Sequence, residues 1–227
     1  MTSLAGVKSD GPLHRLGRAH PWEWPDWAFA ADDGTFGNRY DDPAGEYRVV
    51  YASSDDVAPF VETLARFRPD VALLAALAEI KDEDDDPPTL RGGVVPRDWL
   101  TTRRLGSAIV DGRFCDVAEA ATLTTLRSAL AALLVRHGLD DLDAGDLRTR
   151  APRAFTQAVG RYVYKATAAD GGPFNGVRYR SRLGDDLVNW AIFEGAAITV
   201  VDTIEIEPNH AGLRRALELL GLELETD

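Results

Sequence analysis

The sequence predicts an α+β fold, a single domain in which a mixed or antiparallel central sheet is flanked by helices. The 227 residues are 45% hydrophobic and 27% charged, which is enough apolar material for one sizeable core. Amphipathic segments and short β-branched runs follow one another irregularly, without the strand–helix–strand alternation of a parallel sheet. Three strand candidates cluster late in the chain, at residues 176–179, 189–193 and 197–206.

The composition of the chain ends and of two internal segments sets the predicted limits of the domain. Residues 1–11 are predicted to be a flexible N-terminal tail, and residues 223–227 a C-terminal tail, so that the domain covers 12–222. Residues 81–91 and 138–150 are rich in charge, proline or glycine, and we expect both to be exposed loops.

In the first half of the domain, residues 47–52 (YRVVYA) are β-branched and aromatic and follow a DDPAG turn, which predicts a strand. Residues 53–55 (SSD) offer N-cap side chains for a helix over 56–67, where apolar residues recur at helical spacing. Asp70 is expected to cap a second helix over residues 71–80.

In the second half, residues 107–110 are a short strand candidate. A long amphipathic helix is predicted over 117–137 and is stopped by Gly138. Two further helices are predicted over 153–168 and 210–220. Neither GxGxxG nor GxxxxGK[ST] occurs, which argues against a Rossmann or P-loop nucleotide site.

The charge of the chain bears on its partners. The net charge is −12, and a strongly acidic protein is repelled by the phosphate backbone, so we expect no direct nucleic-acid partner. An anionic small molecule remains compatible with this charge if arginines concentrate at one site.

Targeting and metal-binding signals are not apparent in the sequence. The N-terminus has no apolar run typical of a secretory signal, and no stretch is long enough to span a bilayer, so we expect no membrane partner and a cytoplasmic location. The single cysteine, Cys115, is interpreted as a small buried hydrophobic residue. None of the histidines has a spacing typical of a metal site: His14, His20, His137 and His210.

Three separated blocks of sequence stand out. They are GTFGNRY at residues 34–40, RVVYASSDDVAPFVETLA at 48–65 and FNGVRYRSRL at 174–183. The first is a glycine-containing stretch with an arginine, the second predicts a strand, a turn and a helix, and the third predicts a strand that ends near a serine. In this order they resemble the RES-domain family of NAD⁺-consuming proteins, and the resemblance covers most of residues 12–195.

The family is named for an arginine, a glutamate and a serine, and each has a counterpart here. The first block places Arg39 at the position of the arginine, the second places Glu62 at that of the glutamate, and the third places Ser181 at that of the serine. Tyr51 lies eleven residues before the glutamate, as in the matching block. Arg15 lies where members often carry an early arginine.

The resemblance implies a fold similar to that of ADP-ribosyltransferases and an enzyme that cleaves the nicotinamide–ribose bond of NAD⁺. The implied activity is that of an NAD⁺ phosphorylase, with inorganic phosphate as co-substrate, or of a glycohydrolase, and no tightly bound cofactor or metal is expected. Many members are toxins, so a cognate antitoxin protein is an implied partner. A protein ADP-ribosyltransferase and a non-catalytic module that binds a nucleotide or a partner remain as alternatives.

The chemistry of that reaction suits the matched residues. Breaking the bond builds positive charge on the anomeric carbon, which the carboxylate of Glu62 would stabilise. Arginine binds phosphate bidentately and stays charged, so Arg39 and Arg15 are candidate clamps for the pyrophosphate. The alternatives are an ordinary exposed helix glutamate for Glu62 and a surface ion pair for each arginine.

The remaining candidates are expected to line the pocket. Tyr51 either stacks on nicotinamide or packs in the core. Ser181 is expected to project into a cleft as a hydrogen-bond donor, not as a nucleophile, and the alternative is a strand-end serine that satisfies its own backbone. Tyr40 and Arg182 neighbour the matched positions, and core packing or surface pairing would explain them equally well.

Overall fold

The computed structural model describes residues 4–79 and 93–226. Within these residues the α-helices are α1 Ala58–Leu64, α2 Val71–Glu79, α3 Arg97–Thr101, α4 Ala120–Ala129, α5 Ala131–Arg136, α6 Arg153–Lys165 and α7 Ala211–Leu220. The strands are β1 Gly6–Val7, β2 Leu13–Gly17, β3 Val49–Ser53, β4 Val94–Val95, β5 Arg104–Asp111, β6 Phe114–Asp116, β7 Gly176–Arg180, β8 Val188–Phe193, β9 Ala197–Glu205 and β10 Glu223–Leu224. No helix in the described part of the chain has the length and apolar character needed to cross a bilayer.

Eight of these strands form one sheet in the order β1-β6-β7-β8-β3-β2-β5-β9. All neighbours are antiparallel except β6 and β7, which are parallel. A separate parallel pair joins β10 to β4. The predicted fold class, an α+β domain with a mixed sheet and flanking helices, is confirmed.

Several predicted elements differ from the structure at their boundaries. The predicted N-terminal tail includes β1, which pairs with β6, and the predicted C-terminal tail includes β10, which pairs with β4. The predicted helix over 117–137 is two helices that meet at Leu130, whose φ of −109° departs from helical geometry. The predicted loop at 138–150 ends in one π-helical turn, Asp146–Arg150, and buries Leu142 and Leu147. The predicted loop at 81–91 lies outside the described residues.

The two faces of the sheet are covered by different apolar clusters, because strand side chains alternate between the faces. On one face, Val49 and Ala191 belong to a cluster with residues of α4, α5 and α6. On the opposite face, Val50 and Ile192 pack with Trp22. A third cluster holds Phe60 of α1 together with residues of α3 and α7.

Cys115 is fully buried in the first of these clusters, as the sequence predicted. Burial raises the pKa of its thiol to about 12, so the group is a neutral thiol at physiological pH. It therefore contributes to packing, and it lacks the thiolate character of a reactive cysteine.

The sheet opens between β2 and β3. β2 pairs with β5 at five consecutive positions, but it pairs with β3 only through His14 and Ser53. Beyond that pair the carbonyl of Tyr51 on β3 accepts a hydrogen bond of 3.1 Å from Arg15 Nη1 instead of from a backbone amide of β2. The Arg15 side chain thus supplies the hydrogen bond that a backbone amide of β2 would otherwise donate to β3. The gap between the two strands is left available for a site.

The loop that carries Arg39 is packed directly on α6. Gly160 is buried in that helix, and a Cβ built on it would lie 2.8 Å from the carbonyl oxygen of Tyr40 and 3.2 Å from its Cα. Backbone atoms cannot move aside as a flexible side chain can. This glycine therefore sets the distance between the loop and the helix.

We expect Gly160→Ala to destabilise the protein by about 1–3 kcal/mol, although alanine has the higher helix propensity, because the new methyl group overpacks against the Tyr40 backbone. The free energy of unfolding from urea titration measures this. Gly11→Ala is the matched control, since a Cβ there meets nothing within 4 Å. A Gly160→Ala protein as stable as the wild type would contradict the packing described.

Candidate functional site

A cleft of about 470 Å³ lies at the opening between β2 and β3, with α1 on one side and the Arg39 loop and α6 on the other. Both kinds of charged group that the sequence predicted for a site, arginine guanidinium and glutamate carboxylate, line this cleft. Its walls are formed by Arg15, Leu16, Asn38, Arg39, Tyr51, Ala52, Ser53, Pro59, Glu62, Thr63, Arg148, Arg153, Tyr179, Arg180, Arg182 and Asn189.

The charge of the cleft is opposite to that of the whole protein. Among the described residues that line it, Glu62 is the one acidic residue, whereas the chain as a whole carries a net charge of −12. The concentration of cations required for an anionic small-molecule ligand is therefore present. The lining arginines are Arg15, Arg39, Arg148, Arg153, Arg180 and Arg182.

Arg39 is held by backbone carbonyls. Its Nη1 donates to the carbonyl of Leu147, and its Nη2 donates to that of Arg148 at 2.9 Å. Neutral carbonyl oxygens fix the direction of the guanidinium without cancelling its charge. The surface ion pair considered as an alternative from the sequence is not found among the described residues.

The buried carboxylate of Asp41 stabilises the loop around Arg39. One of its oxygens accepts from the backbone amide of Asn38 at 2.7 Å and from the Asn38 side-chain amide at 2.8 Å. The other accepts from the Tyr51 hydroxyl at 2.7 Å, and that hydroxyl in turn accepts from the Tyr40 amide at 3.0 Å. The loop is thereby locked to β3, and the hydroxyl of Tyr51 is committed to this network while its ring lines the cleft.

Arg15 is a desolvated cation. Burial lowers the pKa of its guanidinium to about 10, with a smaller opposing effect from Tyr51, so it still carries its charge at neutral pH. Its Nη1 donates to the carbonyl of Tyr51, but its buried Nε has no hydrogen-bond partner within the described residues. A buried cation with an unused donor in a cleft wall is well suited to an anion.

Glu62 lies on α1 with its carboxylate exposed to the cleft. Its Oε1 accepts a hydrogen bond of 2.7 Å from the side-chain amide of Asn189 on β8. Asn189 Oδ1 in turn accepts from the Ser53 hydroxyl at 2.6 Å. Although arginines surround the cleft, none of the described ones forms an ion pair with Glu62.

The phenol of Tyr179 lies close to both the carboxylate and the arginines of the cleft. Burial is the main cause that raises the pKa of its phenol, and the negative charge of Glu62 raises it further. The charges of Arg39 and Arg153 act in the opposite direction. These opposing effects show that Glu62 and Arg39 act electrostatically on the same phenol.

Two predicted site residues lie outside the cleft wall. Ser181 is buried, and its Oγ accepts a hydrogen bond of 2.9 Å from the Leu183 amide, so the expectation that it projects into the cleft is wrong. Its hydroxyl stabilises the turn after β7, as in the strand-end alternative. Tyr40 is also buried, with its ring 5.0 Å from that of Tyr179. Arg182 does line the cleft and is exposed.

The site contains residues that the sequence analysis did not single out. Asn189 was detectable in principle, because it is a polar residue inside the otherwise apolar strand VNWAIF. Arg148 could not be found in this way, since it falls in a predicted loop. In the described part of the chain, no group of three or more His, Cys, Asp or Glu side chains is placed to hold a metal ion.

Comparison with known proteins gives a match to one family and one fold. Residues 12–211 match the RES domain. The chain is also similar to a chain in the crystal structure of the M. tuberculosis MbcT–MbcA toxin–antitoxin complex, with 16% identity, a TM-score of 0.52 and coverage of 95% of this chain and 92% of that one. No curated protein matches. At this identity the structural likeness concerns the fold alone.

The free energy of unfolding of the protein is expected to fall at alkaline pH. Burial raises the pKa of four tyrosines, Tyr40, Tyr47, Tyr51 and Tyr179, above the usual value of 10. The unfolded chain therefore releases these protons before the folded chain does, and the stabilisation is complete below pH 10 and is lost as the pH rises above it.

Tyr51→Phe removes one of these groups, so the free energy of unfolding should decline less steeply above pH 10 than in the wild type. Urea titrations at several pH values between 8 and 11 measure the two slopes. The variant should also be less stable at pH 8, by about 1–3 kcal/mol, because Asp41 loses a buried donor. Equal slopes in the two proteins would refute the assignment.

Proposed function

The chain belongs to the RES-domain family, and from this we propose that it is an enzyme that consumes NAD⁺ by cleaving its nicotinamide–ribose bond. The observation that carries the proposal is the pairing of one carboxylate, Glu62, with a group of arginines in a single cleft. NAD⁺ has complementary charges, since its pyrophosphate is anionic, its nicotinamide ring is cationic and positive charge develops on its anomeric carbon as the bond breaks.

Glu62 is proposed to act at the reacting carbon. As the bond to nicotinamide stretches, positive charge develops on the anomeric carbon and its ring oxygen, and a nearby carboxylate lowers the energy of that state. No described arginine forms an ion pair with the Glu62 carboxylate, so the carboxylate is available for this purpose. Nicotinamide leaves as a neutral molecule with the electron pair of the broken bond.

Arg15 and Arg39 are proposed to bind the pyrophosphate. Arg15 offers an unused buried Nε, and Arg39 presents a guanidinium whose direction is set by two carbonyls. Fixed donors of this kind bind phosphate oxygens with little loss of side-chain entropy. Tyr51 supplies an aromatic wall, and stacking of its ring on nicotinamide or adenine remains part of the proposal.

The acceptor of the ribosyl group is proposed to be inorganic phosphate, with water as the alternative. A phosphate oxygen would form a bond to the anomeric carbon as the bond to nicotinamide breaks, which yields a phosphorylated ADP-ribose. With water, ADP-ribose and a proton are produced. Beside Arg15 and Arg39, the lining residues Arg153, Arg180 and Arg182 favour the anionic acceptor, whereas Arg148 is already paired with the carboxylate of Asp185.

The direct test is nicotinamide release from NAD⁺ by the purified protein, measured with and without phosphate. We expect turnover that phosphate accelerates, and a loss of at least about 100-fold in kcat for Glu62→Gln, because the amide carries no charge to stabilise the transition state. Glu218→Gln, on an exposed face of α7, is the matched control and should retain full activity.

Absence of nicotinamide release in both conditions, from folded protein, would refute the proposed function. Transfer of ADP-ribose to a protein would reassign the acceptor while the bond-breaking step stood. Unchanged turnover in Glu62→Gln would remove Glu62 from its role.

We further propose that the protein acts in the cytoplasm as the toxin of a toxin–antitoxin pair. The family and the likeness in fold to a chain of the MbcT–MbcA complex support this context. Expression of the wild-type chain should then arrest growth by depleting NAD⁺, whereas Glu62→Gln should not. Co-expression of the product of the neighbouring open reading frame should restore growth, and failure to arrest growth at all would contradict toxicity.

A further inference from the structure

We propose that Asn189, oriented by Ser53, is a positioning residue that holds the Glu62 carboxylate in its reactive orientation. The three side chains form a continuous hydrogen-bonded set, called here the polar triplet. This proposal rests on the proposed function and extends it to Asn189, which lies outside the three motif blocks, and to Ser53, which the sequence suggested only as a helix cap.

The strand register places two members of the triplet side by side. Ser53 on β3 and Asn189 on β8 are directly opposite each other in an antiparallel pair, so their side chains project from the same face of the sheet. Both are buried, with 3% and 2% of their surface exposed, whereas Glu62 is exposed. The triplet therefore runs from the interior of the sheet to the open cleft.

Hydrogen-bond polarity fixes the direction of the triplet. An ionised carboxylate only accepts, so the NH₂ group of Asn189 must face Glu62. The Asn189 oxygen then faces Ser53, whose hydroxyl is the donor that this oxygen requires. A flipped amide would place oxygen against the carboxylate and lose the bond to Glu62. The carboxylate of Glu62 thus selects the amide orientation, and the Ser53 hydroxyl, which can donate or accept, holds Asn189 in that orientation by donating to its oxygen.

The consequence for Glu62 is a carboxylate with one oxygen anchored and one oxygen free. Asn189 holds Oε1 at 2.7 Å, and Oε2 receives no hydrogen bond from any described residue. An exposed glutamate would otherwise sample several rotamers and lose entropy on reaching the reactive one. The triplet restricts this motion in advance, and Oε2 is left to face the substrate.

The triplet also spans two parts of the protein. Glu62 is carried by α1, whose own apolar residues Phe60 and Leu64 pack in one cluster. Asn189, in contrast, is part of the sheet beneath the cleft. The hydrogen bond between them therefore fixes the carboxylate relative to the sheet that also carries Tyr51. A merely structural asparagine would stabilise the fold without controlling this geometry.

The test separates kcat from KM in NAD⁺ turnover. We expect Asn189→Leu to lower kcat by about 10- to 100-fold with KM within about twofold of wild type, because arginines bind the pyrophosphate and only the carboxylate is misplaced. Ser53→Ala should lower kcat by about three- to tenfold, and Ser53→Thr, which keeps the hydroxyl, should recover most of the loss.

A double-mutant cycle identifies the order of action. Since Ser53 acts through Asn189, adding Ser53→Ala to Asn189→Leu should change kcat by less than about twofold. Asn175→Leu is the matched control: its side chain accepts from the Arg113 amide away from the cleft, so stability should fall with kcat unchanged. Additive effects of Ser53→Ala and Asn189→Leu, or a loss that appears only in KM, would overturn the proposal.

A second measurement does not depend on turnover. The side-chain amide protons of Asn189, identified in ¹H–¹⁵N NMR spectra by their loss in Asn189→Leu, should exchange slowly in the wild type and faster in Ser53→Ala. Fast exchange in the wild type would overturn the triplet whatever the activity. A slowly exchanging amide in a protein without NAD⁺ turnover would instead refute the proposed function, and with it the catalytic purpose of the triplet.

Discussion

The site depends on a single interrupted contact in the sheet. β2 remains fully paired with β5 but keeps only the His14–Ser53 pair with β3. An interrupted strand pair leaves polar backbone groups that need other partners. Here the guanidinium of Arg15 takes the carbonyl of Tyr51, so the same side chain repairs the opening and supplies a cation to it. The opening in the sheet and the charge of Arg15 within it thus have the same structural origin.

Around that opening, side chains of the candidate site are held in place by neighbouring groups. Arg39 is oriented by the carbonyls of residues 147 and 148, and its loop is fastened to β3 through Asp41 and Tyr51. Farther along the loop, Arg161 of α6 binds the buried carboxylate of Asp42 at 2.6 Å. The carboxylates of Asp41 and Asp42 are thereby engaged in holding the loop and do not line the cleft. The cationic character of the site is preserved by this arrangement.

The sequence was informative where one physical factor decides the structure. The run YRVVYA and the late strand candidates became β3, β7, β8 and β9, because their β-branched and aromatic residues favour the extended conformation, in the buried strand β8 as in the exposed edge strand β9. β2 was missed, since LHRLG combines charge with glycine and is held in place by its neighbours. The break at Leu130 was missed too, because the helical periodicity continues across it while tertiary packing sets the bend.

For the site, the structure brings five residues that the sequence singled out into one cleft: Arg15, Arg39, Tyr51, Glu62 and Arg182. Ser181 was misplaced because its position after β7 is compatible with two side-chain directions, and the turn to Leu183 selects the inward one. Asn189 and Arg148 reach the cleft only through contacts distant in sequence. Such contacts are set by how strands and helices assemble, and a local pattern carries no record of them.

The separation of the two reactive groups between hydrophobic clusters has a mechanical consequence. Glu62 is mounted on the cluster of Phe60, whereas the loop of Arg39 rests on Tyr40 and the cluster of Phe155. The distance between the Glu62 carboxylate and the Arg39 guanidinium is therefore set by how these two apolar clusters pack on the sheet. A shift of one cluster by about an ångström would disturb the proposed chemistry while every strand stayed folded, so the proposed activity would report on the alignment of the two clusters more sensitively than a probe of secondary structure.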